Sequence, residues 1–367
     1  MHASKTKLAL SLLLVSAFAG NLFAQQTRHI NGTPRFTAIP RGISTRAAQR
    51  SPAGNVPLWS SSFVSGGNTY NYTMVGADPT TSNVTTKVPV VIVPLIYKFG
   101  TTTISPTKNA CGDTMSAVKR ITKSPIFNNY PFVAGTTNVG TTQYMDAFQR
   151  ANFWQSVGSV TPNYHTLLSP VTMKPAQTIV VPASAGGILG TFCGTQPVGT
   201  ADINFVDAQL QSLITKLKIP ATSLPLFVNY DVFETSGGGC CILGYHSATG
   251  SGQTYAIAAY NDPGLFSVPI EDIHALTHEL GEWLDDPLVN NTVPTWGHIG
   301  QQQGCQTNLE DGDPVTGTAF TATLNGFTYH PEDLVFFSWF ARQTPSIAVN
   351  GWYTFLNTFP AQSAPCP

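Results

Sequence analysis

The sequence predicts a single domain of the α+β class, and three observations support this class. Short runs rich in Val, Ile and Tyr have the composition of β-strands. They lie at residues 69–75, 88–99, 226–233 and 254–260. Apolar residues at helical spacing predict helices, which lie at residues 142–155, 203–217 and 269–284. The chain shows no internal repeat and no second linker that would divide it into two domains.

Local signals justify the individual elements in order. Asp202 is a predicted N-cap for the helix at 203–217, whose apolar residues form one stripe. The glycines at 237–239 predict a tight turn between two strands. Pro269 suits the first turn of the last helix. Within that helix, Gly281 costs about 1 kcal/mol relative to Ala, which predicts close approach of a neighbouring strand. Aromatic runs then predict C-terminal strands at 320–329, 334–340 and 352–355.

Composition excludes two broad classes of protein. Of the 367 residues, 42% are hydrophobic, which excludes a disordered chain. Only 10% are charged and the net charge is −1. Because no basic field exists that would hold a polyanion, we expect no nucleic-acid partner.

Residues 1–24 have the pattern of a secretory signal peptide. Two lysines precede an apolar run at 8–19, and small residues offer cleavage sites after Ala19 and Ala24. The run is shorter than the roughly 20 apolar residues that a membrane span needs, and no later segment is long enough. We therefore expect a secreted or periplasmic protein with no membrane span after cleavage.

Residues 25–57 carry several arginines and prolines but no acidic residue. They predict an extended basic linker or pro-segment ahead of one globular domain at 58–367. A disordered N-terminus without a role is the alternative.

The six cysteines all follow the signal peptide, and an even number in an exported chain favours disulfides. Cys240 and Cys241 are adjacent, which predicts that they bond to different partners. A zinc–thiolate site is disfavoured because no CxxC pair occurs.

The predicted helix at 269–284 carries a candidate metal site. His278 and Glu282 are four residues apart and share one helix face, so both can bind one ion. Glu279 projects away from them, placed to take a proton from a water at the metal. His274 shares the face of His278 but lies roughly 12 Å from Glu282 along the axis, so the pair is either His278 with Glu282 or His274 with His278. A solvated face that binds nothing is the alternative.

The segment from His278 to Glu282, HELGE, resembles the HELGH signature of zincin metallopeptidases, with Glu282 in place of the second histidine. Downstream, Glu310-Asp-Gly-Asp313 resembles the ExxD segment of the gluzincin branch. The resemblance implies a zincin-like fold, in which a mixed β-sheet packs on the active-site helix, followed by an aromatic-rich β C-terminal part. It also implies a Zn²⁺ site whose ligands are His278, Glu282 and Glu310. Asp313 would support the site and Glu279 would be the base. An acidic turn is the alternative for the ExxD segment.

A longer stretch, residues 240–314, resembles the extracellular Exordium family of plant phosphate-induced proteins. The shared features are the HELxE helix, an NPLVN-like continuation that begins at Asp286, the ExxD near Cys305, and a Cys-Gly-x-His-like segment that ends at His246. This resemblance implies secretion and a cell-wall or matrix setting.

Replacing a neutral histidine by Glu282 adds negative charge beside the ion. More carboxylate makes the ion a weaker Lewis acid and shifts preference from Zn²⁺ toward Mn²⁺ or Ca²⁺. His246, His298 and His330 are further candidate ligands or transition-state donors, and His246 follows the glycine turn, which suits the edge of a cleft.

Three functions are consistent with these features. The first is a metal-dependent hydrolase, most simply a peptidase, acting on a peptide or on cell-wall or matrix material. The second is a non-catalytic wall-associated or carbohydrate-binding protein. The third is a structural site with Ca²⁺ near Asp311 and Asp313. No GxSxG nucleophile elbow and no P-loop occurs.

Overall fold

The computed structural model describes residues 29–30, 32–43, 54–158 and 160–366, so the predicted signal peptide lies outside the described residues. The described helices are α1 (Ala117–Lys123), α2 (Tyr144–Asn152), α3 (Trp154–Val157), α4 (Ile203–Lys216), α5 (His274–Asp285) and α6 (Phe337–Phe340). The described strands are β1 (Arg35–Ile39), β2 (Leu58–Ser65), β3 (Asn68–Val75), β4 (Thr85–Phe99), β5 (Thr102–Ile104), β6 (Tyr130–Ala134), β7 (Thr137–Thr142), β8 (His165–Met173), β9 (Gln177–Val181), β10 (Gly186–Phe192), β11 (Gln196–Asp202), β12 (Leu224–Tyr230), β13 (Val232–Ser236), β14 (Gly239–Ala248), β15 (Thr254–Tyr260), β16 (Thr292–Ile299), β17 (Gln302–Asn308), β18 (Ala322–Leu324) and β19 (Phe327–Tyr329).

One mixed sheet of eleven strands, curled into a half-barrel, dominates the fold. Its central order is β10-β11-β13-β14-β15-β12-β4-β5, with β1 paired to β14 and both β8 and β9 paired to β4. The pairs β4–β12 and β12–β15 are parallel, whereas β13–β14 and β14–β15 are antiparallel. β12 and β15 are buried along their whole length, as expected for strands covered on both faces.

Helices cover the two faces of this sheet at β15. Trp283 of α5 donates from Nε1 to Thr254 Oγ1 at 3.0 Å. Tyr255 donates from its hydroxyl to the carboxylate of Asp207 in α4. Thr254 and Tyr255 are consecutive strand residues and therefore point to opposite faces, so α5 and α4 lie on opposite sides of the sheet.

The predicted α+β zincin-like class is wrong. The protein is mostly β, with 42% strand and 17% helix, and its sheet is a half-barrel. The sequence pattern missed strands that lack an alternation of apolar and polar residues. The burial of β10 and β17 shows the reason: most of their residues are exposed or only partly buried, so no buried face marks them.

Several predicted elements are confirmed and others are wrong. β15 has the predicted bounds, and Asp202 caps α4 by accepting from Asn204 N and Phe205 N, both at 3.0 Å. The predicted strand at 334–340 is wrong, since its second half forms α6 and packs into a buried aromatic cluster. The predicted strand at 352–355 makes only one isolated bridge. Short apolar runs do not by themselves distinguish strand from buried helix.

The segment predicted as a linker contributes a strand to the main sheet. β1 pairs in parallel with β14, with Arg35 opposite Ile242 and Ala38 opposite His246. The extended chain around Arg35 is therefore part of the folded body.

Three disulfides are present in the described residues: Cys111–Cys193, Cys240–Cys241 and Cys305–Cys366. The prediction that the adjacent Cys240 and Cys241 bond to different partners is wrong. Disulfides fit an extracellular protein. Within the described part of the chain, no helix combines the length and the apolar character that crossing a membrane requires.

Candidate metal centre

The helix α5 lies inside the protein rather than on its surface. All of its residues are buried, and His274, His278 and Glu282 are each at most 1% exposed. The alternative of a solvated polar face is therefore wrong. Buried ionisable groups need partners or a bound ion, so the surroundings of these side chains decide what they can do.

Glycines allow other segments to approach α5 closely. A Cβ on Gly244 in β14 would lie 2.7 Å from Glu279 Cγ, and a Cβ on Gly281 would lie 2.6 Å from Leu334 Cδ1. The prediction of a close approach at Gly281 is confirmed, although the neighbour Leu334 belongs to a loop and not to a strand.

The buried polar atoms beside α5 that have no hydrogen-bond partner include His278 Nε2, Glu279 Oε1, Glu282 Oε1 and both carboxylate oxygens of Glu310. His278, Glu279 and Glu282 bring one ligand atom each within 4.8 Å of one another, and His246, Glu282 and Glu310 do the same. Glu282 belongs to both groups, whereas the predicted ligands His278 and Glu310 lie in different ones. His278 Nε2 and Glu282 Oε1 are 2.9 Å apart without the geometry of a hydrogen bond. Two atoms bound to one ion at about 2.1 Å lie about 3.0–3.4 Å apart, so this spacing suits a shared cation.

His246 in β14 faces the same group of atoms from the sheet. Its Nδ1 lies 3.3 Å from Glu279 Oε2, and its Nε2 lies 3.2 Å from the backbone carbonyl oxygen of Asp286. Because a carbonyl oxygen only accepts, Nε2 carries the hydrogen and Nδ1 is an acceptor that faces Glu279. Burial, and then the charge of His278, lower the pKa of His246 to about 3, so the ring is neutral.

Glu332 faces the two histidines of α5 from the other side and pairs with His278. Its Oε2 lies 2.6 Å from His278 Nδ1, and its Oε1 lies 3.1 Å from His274 Nε2. When His278 donates from Nδ1 to this carboxylate, its Nε2 is free to bind an ion. A Cβ on Gly312 would lie 2.3 Å from His278 Nδ1, so glycine is needed where this loop crosses the ring.

Sequence reasoning missed Glu332. It is distant in the chain from α5, and no spacing rule connects it to His278. The only signal is the pair Glu332-Asp333 next to an apolar run, where two buried carboxylates interrupt aromatic residues.

Asp313 lies at the edge of the group, with Oδ1 3.6 Å from His278 Nε2. Gln306 donates to Asp313 Oδ2 at 3.1 Å, and Gln301 donates to Asp313 Oδ1. Two amides therefore fix this carboxylate beside His278. Asp311 is fully buried, and neither of its carboxylate oxygens has a partner.

His274 and His330 belong to neither of the two groups of ligand atoms around Glu282. His274 contacts Glu332 and accepts from the backbone N of Gly317 at 3.4 Å, which favours His278 with Glu282 as the ligand pair. His330 lies with its Nδ1 2.7 Å from Asp272 Oδ2.

His298 is exposed and lies near Cys305 and Cys366. Those two cysteines bond to each other, so they offer no thiolate to an ion.

The electrostatics of the group favour a cation. Burial raises the pKa values of Glu279, Glu282 and Glu310 above the usual range of a glutamate. Burial opposes the charge of His278, but Glu282 and Glu332 outweigh burial and raise the pKa of that ring. A divalent ion placed among these carboxylates would stabilise their ionised forms.

No protein-family model, curated protein or solved structure matches this chain. The resemblances to zincin metallopeptidases and to the Exordium family therefore remain predictions.

Proposed function

We propose that this protein is an exported, metal-dependent hydrolase in which His278, Glu282 and Glu310 hold the ion and Glu279 is the general base. The observation that supports the proposal is one imidazole nitrogen and four carboxylate oxygens, all buried beside α5 and all without a partner. Zn²⁺ suits a site that contains imidazole, and His246 offers a second ring. The high carboxylate content also suits Mn²⁺, whereas Ca²⁺ usually has oxygen ligands only.

The residues around the ion have separate roles in hydrolysis. When bound, the ion would polarise the substrate carbonyl and lower the pKa of the attacking water. Glu279 would take the proton from that water. Once Glu279 carries this proton, its carboxyl can donate to His246 Nδ1, which lies 3.3 Å from Oε2 and would hold the group in place. Glu279 would then pass the proton to the amine that leaves. Glu332 would keep His278 Nε2 aimed at the ion.

The substrate we propose is a peptide, with cell-wall or matrix material as its setting. Disulfides support an extracellular location. The predicted signal peptide indicates export, either to the periplasm or out of the cell.

Metal analysis of the purified mature protein tests the proposal. We expect about one ion per chain in the wild type and in Glu279→Gln, and none in Glu282→Ala. Peptide hydrolysis should fall about 100-fold or more in Glu279→Gln although the ion stays bound. Glu234→Ala is the matched control, because Glu234 is equally buried and has two unpartnered oxygens but belongs to neither ligand group. A wild type that binds neither zinc nor manganese would contradict the proposal and leave a non-catalytic binding protein.

A further inference from the structure

The candidate centre is closed by the N-terminal strand β1. The ring of Phe36 stacks on the ring of His278, with centroids 3.7 Å apart and planes 19° from parallel. Phe36 is 3% exposed, and Glu279, Glu282 and Glu310 are at most 4% exposed. A substrate can therefore reach these side chains only when β1 moves aside.

β1 is bound in the way that an added strand binds a sheet. Among the described strands it pairs only with β14, in parallel, which places Ala38 opposite His246. Phe36 N donates to Gln301 Oε1 at 2.7 Å, and Gln301 Nε2 donates to Phe36 O at 3.1 Å. The same Gln301 donates to Asp313, so the backbone of β1 is connected directly to the edge of the site.

Cavities flank β1 on both sides. One of about 500 Å³ is lined by Pro34, Arg35, Cys240 and Gln301, among others. A second of about 250 Å³ is lined by residues 35–40 together with Ile203. Arg35 lines both cavities, so they meet at β1. Displacement of β1 would leave a groove along β14 that includes the place of Phe36 beside His278.

The hold on β1 is limited. Phe36 is the only fully buried residue of the strand, and the other four are half-buried. Beyond the strand, Arg41 forms an ion pair with Asp207 of α4. Within β1, Phe36 alone belongs to the main hydrophobic core, and Ile39 packs against that core.

We propose that the groove along β14 is a binding site for an extended polypeptide, and that β1 is its internal occupant, which keeps the centre closed. An extended chain would add to β14 through main-chain hydrogen bonds and place a bulky apolar side chain where Phe36 now lies. The inference that the groove binds a peptide depends only on the contacts of β1. That a bound peptide is the hydrolysed substrate rests on the proposed function.

Binding of a peptide to the full-length chain tests this inference. A recognition sequence for a site-specific protease, introduced within residues 44–53, allows the chain to be nicked while both pieces stay present. The probe is a fluorescent peptide with the sequence of residues 32–43, followed by anisotropy. We expect the probe to bind the nicked chain roughly tenfold or more tightly than the intact chain. In the nicked chain, β1 is no longer covalently linked to the rest of the domain and so competes less well with the probe. A probe with Phe36→Asp should not bind.

A second set of variants needs no nicking. Phe36→Asp in the intact chain should expel β1 and allow the wild-type probe to bind, whereas Phe36→Leu should stay closed. Phe63→Asp is the control, since it places the same charge on an aromatic residue of β2, which is outside the main sheet. The inference is overturned if nicking and Phe36→Asp leave probe binding unchanged, or if Phe63→Asp promotes it equally.

The two proposals fail separately. Peptide binding without a bound metal would contradict the hydrolase and leave the groove established. Hydrolysis of polypeptide at equal rates by intact and nicked chains, with no probe binding, would leave the hydrolase and overturn the groove.

Discussion

Removing the charge of Glu332 is the sharpest test of the candidate centre, because Glu332 contacts a ligand and not the proposed ion. Its carboxylate accepts from His278 Nδ1 at 2.6 Å, a charge-assisted distance. Loss of such a partner behind a metal-binding histidine weakens metal affinity about 10- to 100-fold. This corresponds to about 1.4–2.7 kcal/mol of binding free energy. We therefore expect Glu332→Gln to raise the Kd for zinc by that factor.

The assay is a competition titration against a chelator of known affinity, with the thermal stability of the metal-free protein measured in parallel. Asp333→Asn is the matched control. Asp333 is the adjacent buried acid, but it accepts from Leu356 N at 3.0 Å and from the Thr358 hydroxyl at 3.0 Å, away from the histidines. This control should change stability and leave the zinc Kd unchanged. The reasoning is refuted if Glu332→Gln lowers the Tm while the Kd stays at the wild-type value.

Three further predictions concern stability, each measured by urea unfolding. Burial raises the pKa of Glu234 to about 8 from 4.5, so the folded state keeps a proton that the unfolded state loses. Stability should then fall by up to about 1.4 kcal/mol per pH unit as the pH rises between those values, and Glu234→Gln should remove this slope. Gly281→Ala should destabilise by about 1–3 kcal/mol through overpacking, despite a helix-propensity gain of about 1 kcal/mol. A double-mutant cycle with Leu334→Ala should show coupling of about 1 kcal/mol; additivity would contradict the contact. Replacing Cys305 and Cys366 by Ser should cost about 2–4 kcal/mol, and an unchanged midpoint would argue against that disulfide.

The candidate site was partly predictable because its spacing is local. His278 and Glu282 are neighbours on any helix, and Glu279 follows from the same period. His278 Nε2 and Glu282 Oε1 lie 2.9 Å apart, and Glu279 Oε2 lies 3.3 Å from His246 Nδ1, so the helix brings these side chains together as the spacing predicts. Glu332 was not predictable, because a carboxylate that reaches His278 from a distant loop leaves no periodic signal.

The fold class was less predictable than the helices. α4 has a cap and an apolar stripe, and both are properties of consecutive residues. The strands β10 and β17 are poorly buried. Each pairs with its neighbour in the chain, β11 or β16, but neither has the alternation of buried and exposed residues that marks a strand. Because such strands resemble loops in the sequence, the half-barrel was predicted as an α+β domain.

By itself, the sequence determined the neutral composition and the one helix that carries His278, Glu279 and Glu282, because these depend on residue types and short spacings. Only the tertiary structure decided that this helix is buried, that His246 and Glu332 face it, and that a strand from the N-terminal segment closes the site. Contacts between distant parts of the chain arise from packing around a shared core. They are fixed by shape and burial, which the local pattern of residues does not contain.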